Sequence, residues 1–161
     1  MLNKKGSIID ILTAVVMLLV ISVIFILITY IWTQFSGTAF FKTAPSVTNN
    51  INTSFSILDD GIVVFFFMTV FSAILLAFFV QSHPVFAIIP IIFLIPLTII
   101  ADVFSNLWQS IISNSFLATV GNTYFLYVST LMKYLPITVL VFSVILMIVM
   151  YSKPTATSAV Y

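Results

Sequence analysis

The chain has no cysteine, no arginine and no glutamate, and charge of either sign is scarce: five lysines and four aspartates make 6% of 161 residues. Without cysteine there is no disulfide framework, no thiolate metal site and no thiol nucleophile. Five lysines spread along the chain make no basic patch, so nucleic acid is not an expected partner. Soluble domains carry about 25% charged residues, and a water-soluble fold could not cover its surface with this inventory. What is present is apolar: 62% of the residues are hydrophobic. The composition moves the question to the bilayer.

A membrane-spanning helix needs about 20 mostly apolar residues. Four stretches qualify: 8–32, 62–80, 85–101 and 135–151. The second is almost unbroken and includes the run Phe65-Phe66-Phe67. The third follows the turn Gln81-Ser82-His83-Pro84, too short for anything except an antiparallel pair, and carries Pro90 and Pro96. Each proline removes a backbone donor and kinks a helix. Broken helices line substrate sites in some transporters, but a bent, short span is the favoured reading, because neighbouring helices can cover the freed carbonyls.

The amino-terminal helix opens with Ser7-Ile-Ile-Asp10, the spacing of a capping box. Ser7 is expected to accept from the N–H of Asp10, and Asp10 to reach back to the N–H of Ser7. The apolar run behind it is longer than the core of about 7–15 residues in a cleavable signal. Lys4 and Lys5 favour a cytoplasmic or interior amino terminus. Four spans then return the carboxyl terminus to the same side, leaving three lysines inside (Lys4, Lys5, Lys153) and two outside (Lys42, Lys133).

Chemistry is hard to find. A catalytic site needs a nucleophile, acid, base or metal within hydrogen-bond reach of one another. His83 is the only histidine, in a turn, and it has no partners for a metal or a triad. Asp59-Asp60-Gly61 reads as an interfacial helix start before the second span. Asp102 closes the third span, where water or headgroups can solvate it, so it reads as a boundary marker rather than an intramembrane proton site. Serines and threonines within the spans are isolated, and such hydroxyls usually bond their own backbone. No enzyme activity, cofactor, metal site or small-molecule substrate is expected.

Two connecting segments carry helical periodicity. In 33–60, Val47, Ile51, Phe55, Leu58 and Ile62 recur at helical spacing behind Pro45, which suits a helix start. In 103–116, Phe104, Leu107, Trp108, Ile111, Ile112 and Phe116 form one apolar face, opposite an uncharged face of Ser105, Asn106, Gln109, Ser110, Ser113 and Asn114. That segment is expected to lie in the membrane interface plane, its apolar face sunk into the headgroup boundary and responsive to curvature. The alternative is that the same face packs on a neighbouring subunit. Aromatic residues gather near span ends: Tyr30, Trp32, Trp108, Tyr134 and Tyr151.

The opening MLNKKGSIIDILTAVVMLLV, the SHPVF turn and the four-span layout resemble small polytopic membrane proteins of lipid-containing archaeal and bacterial viruses. That resemblance implies a structural role in a virion membrane, with no catalytic residues to carry over. The expected fold is an all-α integral membrane protein, with about four transmembrane helices plus interfacial amphipathic helices, in one membrane domain. The expected function is the non-enzymatic organisation of a membrane assembly. Expected partners are the lipid bilayer and other membrane or capsid subunits in many copies. A small channel, transporter or holin-like permeability protein, and an accessory subunit of a cellular membrane complex, are the alternatives.

Overall fold

The structure, a computed structural model, describes residues 6–79 and 88–151, with side chains over most of 11–150. Among the described residues there are helices and turns and no strand. The helices are α1 (Gly6–Ser36), α2 (Ala39–Lys42), α3 (Pro45–Phe79), α4 (Ile88–Ile112), α5 (Ser115–Tyr124), α6 (Leu126–Lys133) and α7 (Leu135–Tyr151). Among the described residues, three stretches are long and apolar enough to cross a membrane: Ile11–Ser36, Pro45–Phe78 and Leu94–Ile112. A fourth exists if α6 and Leu135–Met150 count as one span, bent by 68° between them.

Among the described residues, every apolar run expected from the sequence lies in one of these helices, but two helices are much longer than the runs. The helix of the second run begins at Pro45, so residues 45–61, whose periodicity suggested a helix, extend it as one continuous α3. Pro45 is its first residue, where a missing N–H costs nothing and φ is already helical. The helix that was to end at Ala101 runs on to Ile112. Pro96 lies inside it and cannot donate to the carbonyl of Ile92. At the other end of the chain, α7 begins with Pro136 in its first turn and matches the expected 135–151.

The described part of the amino-terminal helix begins at Gly6 and includes Ser7 and Asp10. The side-chain contacts of Ser7 and Asp10 lie outside the described residues, as do His83 with its turn and Lys4, Lys5 and Lys153.

Two hairpins face each other. In the first, α1 and α3 run antiparallel, with the Trp32 indole N–H donating to Asn52 Oδ1 (3.0 Å) near the turn. Farther along, Ala14, Leu18 and Ile21 lie beside Ile62, Phe65, Phe66 and Thr69. The second hairpin pairs α4 with α7. The hairpins meet where Phe67 and Phe142 approach edge to face at 5.9 Å. Each long helix buries one stripe at spacings of three and four, the period of a helix face. On α1 it is Ile11, Val15, Leu18, Ser22 and Ile26; on α4, Leu97, Ala101, Ser105 and Trp108; on α7, Leu135, Val139, Ser143 and Leu146.

Two buried hydroxyls bond their own helix, as the sequence suggested, Ser22 donating to the Leu18 carbonyl and Thr29 to that of Phe25, whereas buried Ser143 meets no partner among the described residues. The faces away from the core are apolar and exposed, among them Met17, Met68, Phe71, Ile95 and Ile148. In water such a surface would be an aggregation hazard; in lipid it is ordinary.

Beyond the hairpins, α5 and α6 fold back over one end of the bundle. Tyr30 meets Phe116, and Phe55 meets Tyr124, both edge to face, at 6.5 and 6.2 Å. Close packing here depends on Gly121, where an added Cβ would stand 3.1 Å from Ile112 Cγ2 and 3.4 Å from Ile26 Cδ1. Gly61, on α3, would meet nothing within 4 Å. The two glycines should therefore respond oppositely in a thermal unfolding measurement on the detergent-solubilised protein. Gly61→Ala should stabilise by about 1 kcal/mol through helix propensity alone. Gly121→Leu should destabilise by about 1–3 kcal/mol through overpacking. Equal shifts at both sites would contradict the packing described for α5.

Candidate functional site

Among the acids whose side chains the structure describes, the one withdrawn from solvent is Asp59, 3% exposed, while its neighbour Asp60 is exposed. The helix phase decides between them. Phe55, Asp59, Ile62, Phe66, Val70, Ala73 and Ala77 step along α3 by three or four residues, and all are buried. Asp59 thus occupies a core position of a 35-residue helix. It is not at the start of a helix, where the Asp-Asp-Gly sequence had placed it.

Its partners lie nearly seventy residues away. The two carboxylate oxygens accept from the backbone N–H groups of Tyr127 and Val128, each at 2.8 Å. Those are the second and third residues of α6. The residue at the cap position of that helix is Phe125, whose side chain can accept nothing. An α-helix leaves its first four N–H groups without internal partners, and Ser, Thr, Asp or Asn usually supplies a local acceptor. Here the acceptor comes from another helix. Both bonds are charge-assisted, and the anion lies at the positive end of the helix dipole. The burial cost of the carboxylate is offset by the groups that would otherwise be orphaned.

The opposite end of α6 is tied to α4. Ser105 Oγ donates to the carbonyl of Lys133 at 3.3 Å, and Gln109 Nε2 donates to Ser105 Oγ, also at 3.3 Å. Between the two ends, Ser129 Oγ donates to the Gly121 carbonyl on α5. A helix of eight residues is thereby clamped at its amino end by α3 and at its carboxyl end by α4. Directly after it the chain turns by 68° into α7. By contrast α5 is capped locally, Asn114 Oδ1 accepting from the Phe116 N–H at 3.0 Å.

The segment 103–116 differs from its expectation as an interfacial helix. Residues 103–112 complete α4, the chain breaks at Ser113 and Asn114, and Phe116 belongs to α5. Trp108 is fully buried, and Phe104 and Ile112 pack against the core. Ile111 is half-buried, whereas Leu107 and Phe116 are exposed. Of the polar face, Asn106, Gln109 and Ser110 are exposed, whereas Ser105 is buried on the inner stripe. Its apolar stripe packs mainly on this chain's own core. Trp108 is a core residue rather than part of an interfacial belt, and its indole N–H meets no acceptor among the described residues.

As chemistry, the site is a joint. The carboxylate holds two backbone donors, and the acid next to it in the chain, Asp60, is exposed. Among the described residues no group of three or more His, Cys, Asp or Glu side chains could hold a metal ion. Asp102 is exposed, 3.3 Å from Asn106 Nδ2 on the same helix face. Comparison with protein-family models, curated proteins and solved structures finds no match to this chain.

Sequence reasoning passed over Asp59 because it weighed the Asp-Asp-Gly triplet as a local signal. Two signals point to it. Extending the Phe55–Ile62 periodicity by one helix step puts Asp59, and not Asp60, on the inner stripe. In addition, Phe125-Leu126-Tyr127-Val128 starts a helix with no local polar cap, so an acceptor must come from elsewhere.

Removing the carboxylate should cost far more at this position than next to it. Asp59→Ala leaves two donors stranded and should destabilise by about 3 kcal/mol. Asp59→Asn keeps one acceptor oxygen but turns an amide N–H₂ toward a donor, and should fall between. Asp60→Ala should stay within about 0.5 kcal/mol of the parent. Thermal unfolding in detergent tests the series, and equal midpoints for Asp59→Ala and Asp60→Ala would rule out the cap.

Proposed function

We propose that the protein is a non-enzymatic, multi-pass membrane protein that builds or organises a membrane assembly. The resemblance to proteins of lipid-containing viruses suggests a virion membrane as the setting. The observation that carries this reading is the use made of Asp59: the buried acid of the bundle is saturated by backbone donors and holds one helix to another. Exposed apolar faces on α1, α3, α4 and α7 support it, since they offer surface to lipid and to further subunits. Interhelical polar contacts at the clamp, including Ser105 to Lys133, favour a rigid bundle over one that opens. The bilayer and neighbouring membrane or capsid subunits, in many copies, are the partners this reading implies. Both termini lie on one side of the membrane.

Reconstitution tests it against a permeability function. Proteoliposomes of the full chain should hold a proton or potassium gradient as well as empty vesicles do. Material purified from its native membrane should carry other structural subunits in fixed stoichiometry. A reproducible leak that disappears in Asp102→Asn would overturn the proposal in favour of a channel or transporter.

A further inference from the structure

The outward face of α1 does not change character where those of its neighbours do. On α3 the exposed residues up to Asp60 are mainly polar, with Val47 and Ile57 the apolar ones, and from Val64 onward they are mainly apolar. On α4 exposed polar groups begin at Asp102 and share the surface with Val103 and Leu107, and on α7 the exposed apolar face begins below Lys133 and Tyr134. With Trp32 level with Asn52, the antiparallel register brings Ile24 of α1 level with Asp60. Above that level α1 still presents Ile24, Leu27, Ile28, Ile31 and Phe35, from 46 to 58% exposed. Their spacings of three and four make one continuous stripe. It prolongs Val16, Met17 and Val20 below it by about 17 Å, at 1.5 Å per residue.

From these faces we infer that the upper half of α1 is a lipid-contacting surface, so that the bilayer boundary climbs across the protein from Tyr134 to Phe35. The inference rests on the membrane-spanning reading proposed above. Geometry permits it without a protein partner. α1 packs against α3, α4 and α5, while α7 packs against α3, α4 and α6, which puts α1 and α7 on opposite sides of the bundle. With helices about 8–10 Å apart, the outer surfaces of such a diagonal pair are about 24 Å apart. A rise of about 17 Å over that width is a slope of about 35°, inside the 0–40° range of helix tilts in bilayers. Tilting also lowers the rise of α1's apolar length toward the bilayer's hydrocarbon thickness of about 30 Å.

Both edges of the sloping boundary carry the same chemistry. At the low edge Tyr134 is exposed, with Lys133 Nζ 5.5 Å from its ring centroid. At the high edge Phe35 and Phe40 are exposed, Trp32 meets Phe41 edge to face at 5.0 Å, and Lys42 closes α2. Aromatic rings beside a lysine that can reach the headgroups mark where a helix leaves the hydrocarbon. A water-exposed or protein-covered stripe would not call for such a rim at its end. The stripe's continuity with the lipid-facing residues below it favours lipid in the same way.

The cysteine-free chain allows a direct test. Single cysteines are introduced as Ile31→Cys, Thr53→Cys at the same level on the exposed polar face of α3, and Met68→Cys on the apolar face of the span. Each is labelled with a small fluorophore in phosphatidylcholine vesicles. Quenching is then measured with nitroxides on the lipid chains and with iodide in the water. The expected result is loss of fluorescence to lipid nitroxide at positions 31 and 68, and loss to iodide at 53. Iodide quenching at 31 equal to that at 53 would overturn the inference. So would shielding of 31 from both quenchers, which would mean that a protein partner covers the stripe. If 68 also escapes the lipid nitroxide, the membrane-spanning reading fails with it; if 68 is quenched and 31 is not, only the slope fails.

Discussion

A carboxylate in the middle of a 35-residue helix, seated on the bare amino end of another, sets the terms for the rest of this fold. A buried charge is costly unless it is paired or fully hydrogen-bonded, and the first N–H groups of a helix are costly where packing hides them from water without an acceptor. Asp59 and α6 meet both demands together. Neither can be placed elsewhere without stranding the other, so the contact fixes where α6 lies, and through it where the chain must turn into α7.

The surrounding contacts follow from that placement. With its first turn held against α3, the last carbonyls of α6 come within reach of Ser105 on α4, and Gln109 supports that hydroxyl in turn. The two hairpins, α1 with α3 and α4 with α7, are thus joined by one short helix bonded to a long helix of each. Apolar packing supplies the bulk of the cohesion, through Phe66, Phe125, Trp108 and Met132 among others. Such packing is non-directional, and between helices in lipid its driving force is weak. The directional bonds at α6 select one arrangement among many of similar apolar burial.

Much of this architecture can be read from the residues, and the parts that cannot have physical reasons. Long apolar runs identify the helices because the bilayer leaves few other options, and Pro45 and the Val47–Ile62 periodicity place a helix before the second run. The boundaries mislead where polarity was taken to end a helix. Residues 45–61 and 102–112 are polar on one side only, and a helix with one dry face continues. The segment around Trp108 shows a deeper limit. An amphipathic stripe states that one face is apolar, and the same stripe serves for lipid, a partner or the chain's own core. Asp59 was open to inference from the phase of its stripe, but its partner was not, because a backbone N–H has no signature in sequence. The folding back of α5 and α6 likewise depends on Gly121 meeting Ile26 and Ile112, a contact no local pattern announces.

The central claim is that the Asp59 carboxylate holds the start of α6, and amide hydrogen exchange reads that bond at its other end. In the full chain in detergent micelles, the amides of Tyr127 and Val128 should exchange as slowly as those of the buried stretch of α3. In Asp59→Asn the same two amides should lose protection while those of α5, capped by its own Asn114, keep theirs. Fast exchange at Tyr127 and Val128 in the unaltered protein, or protection unchanged by the substitution, would contradict the account.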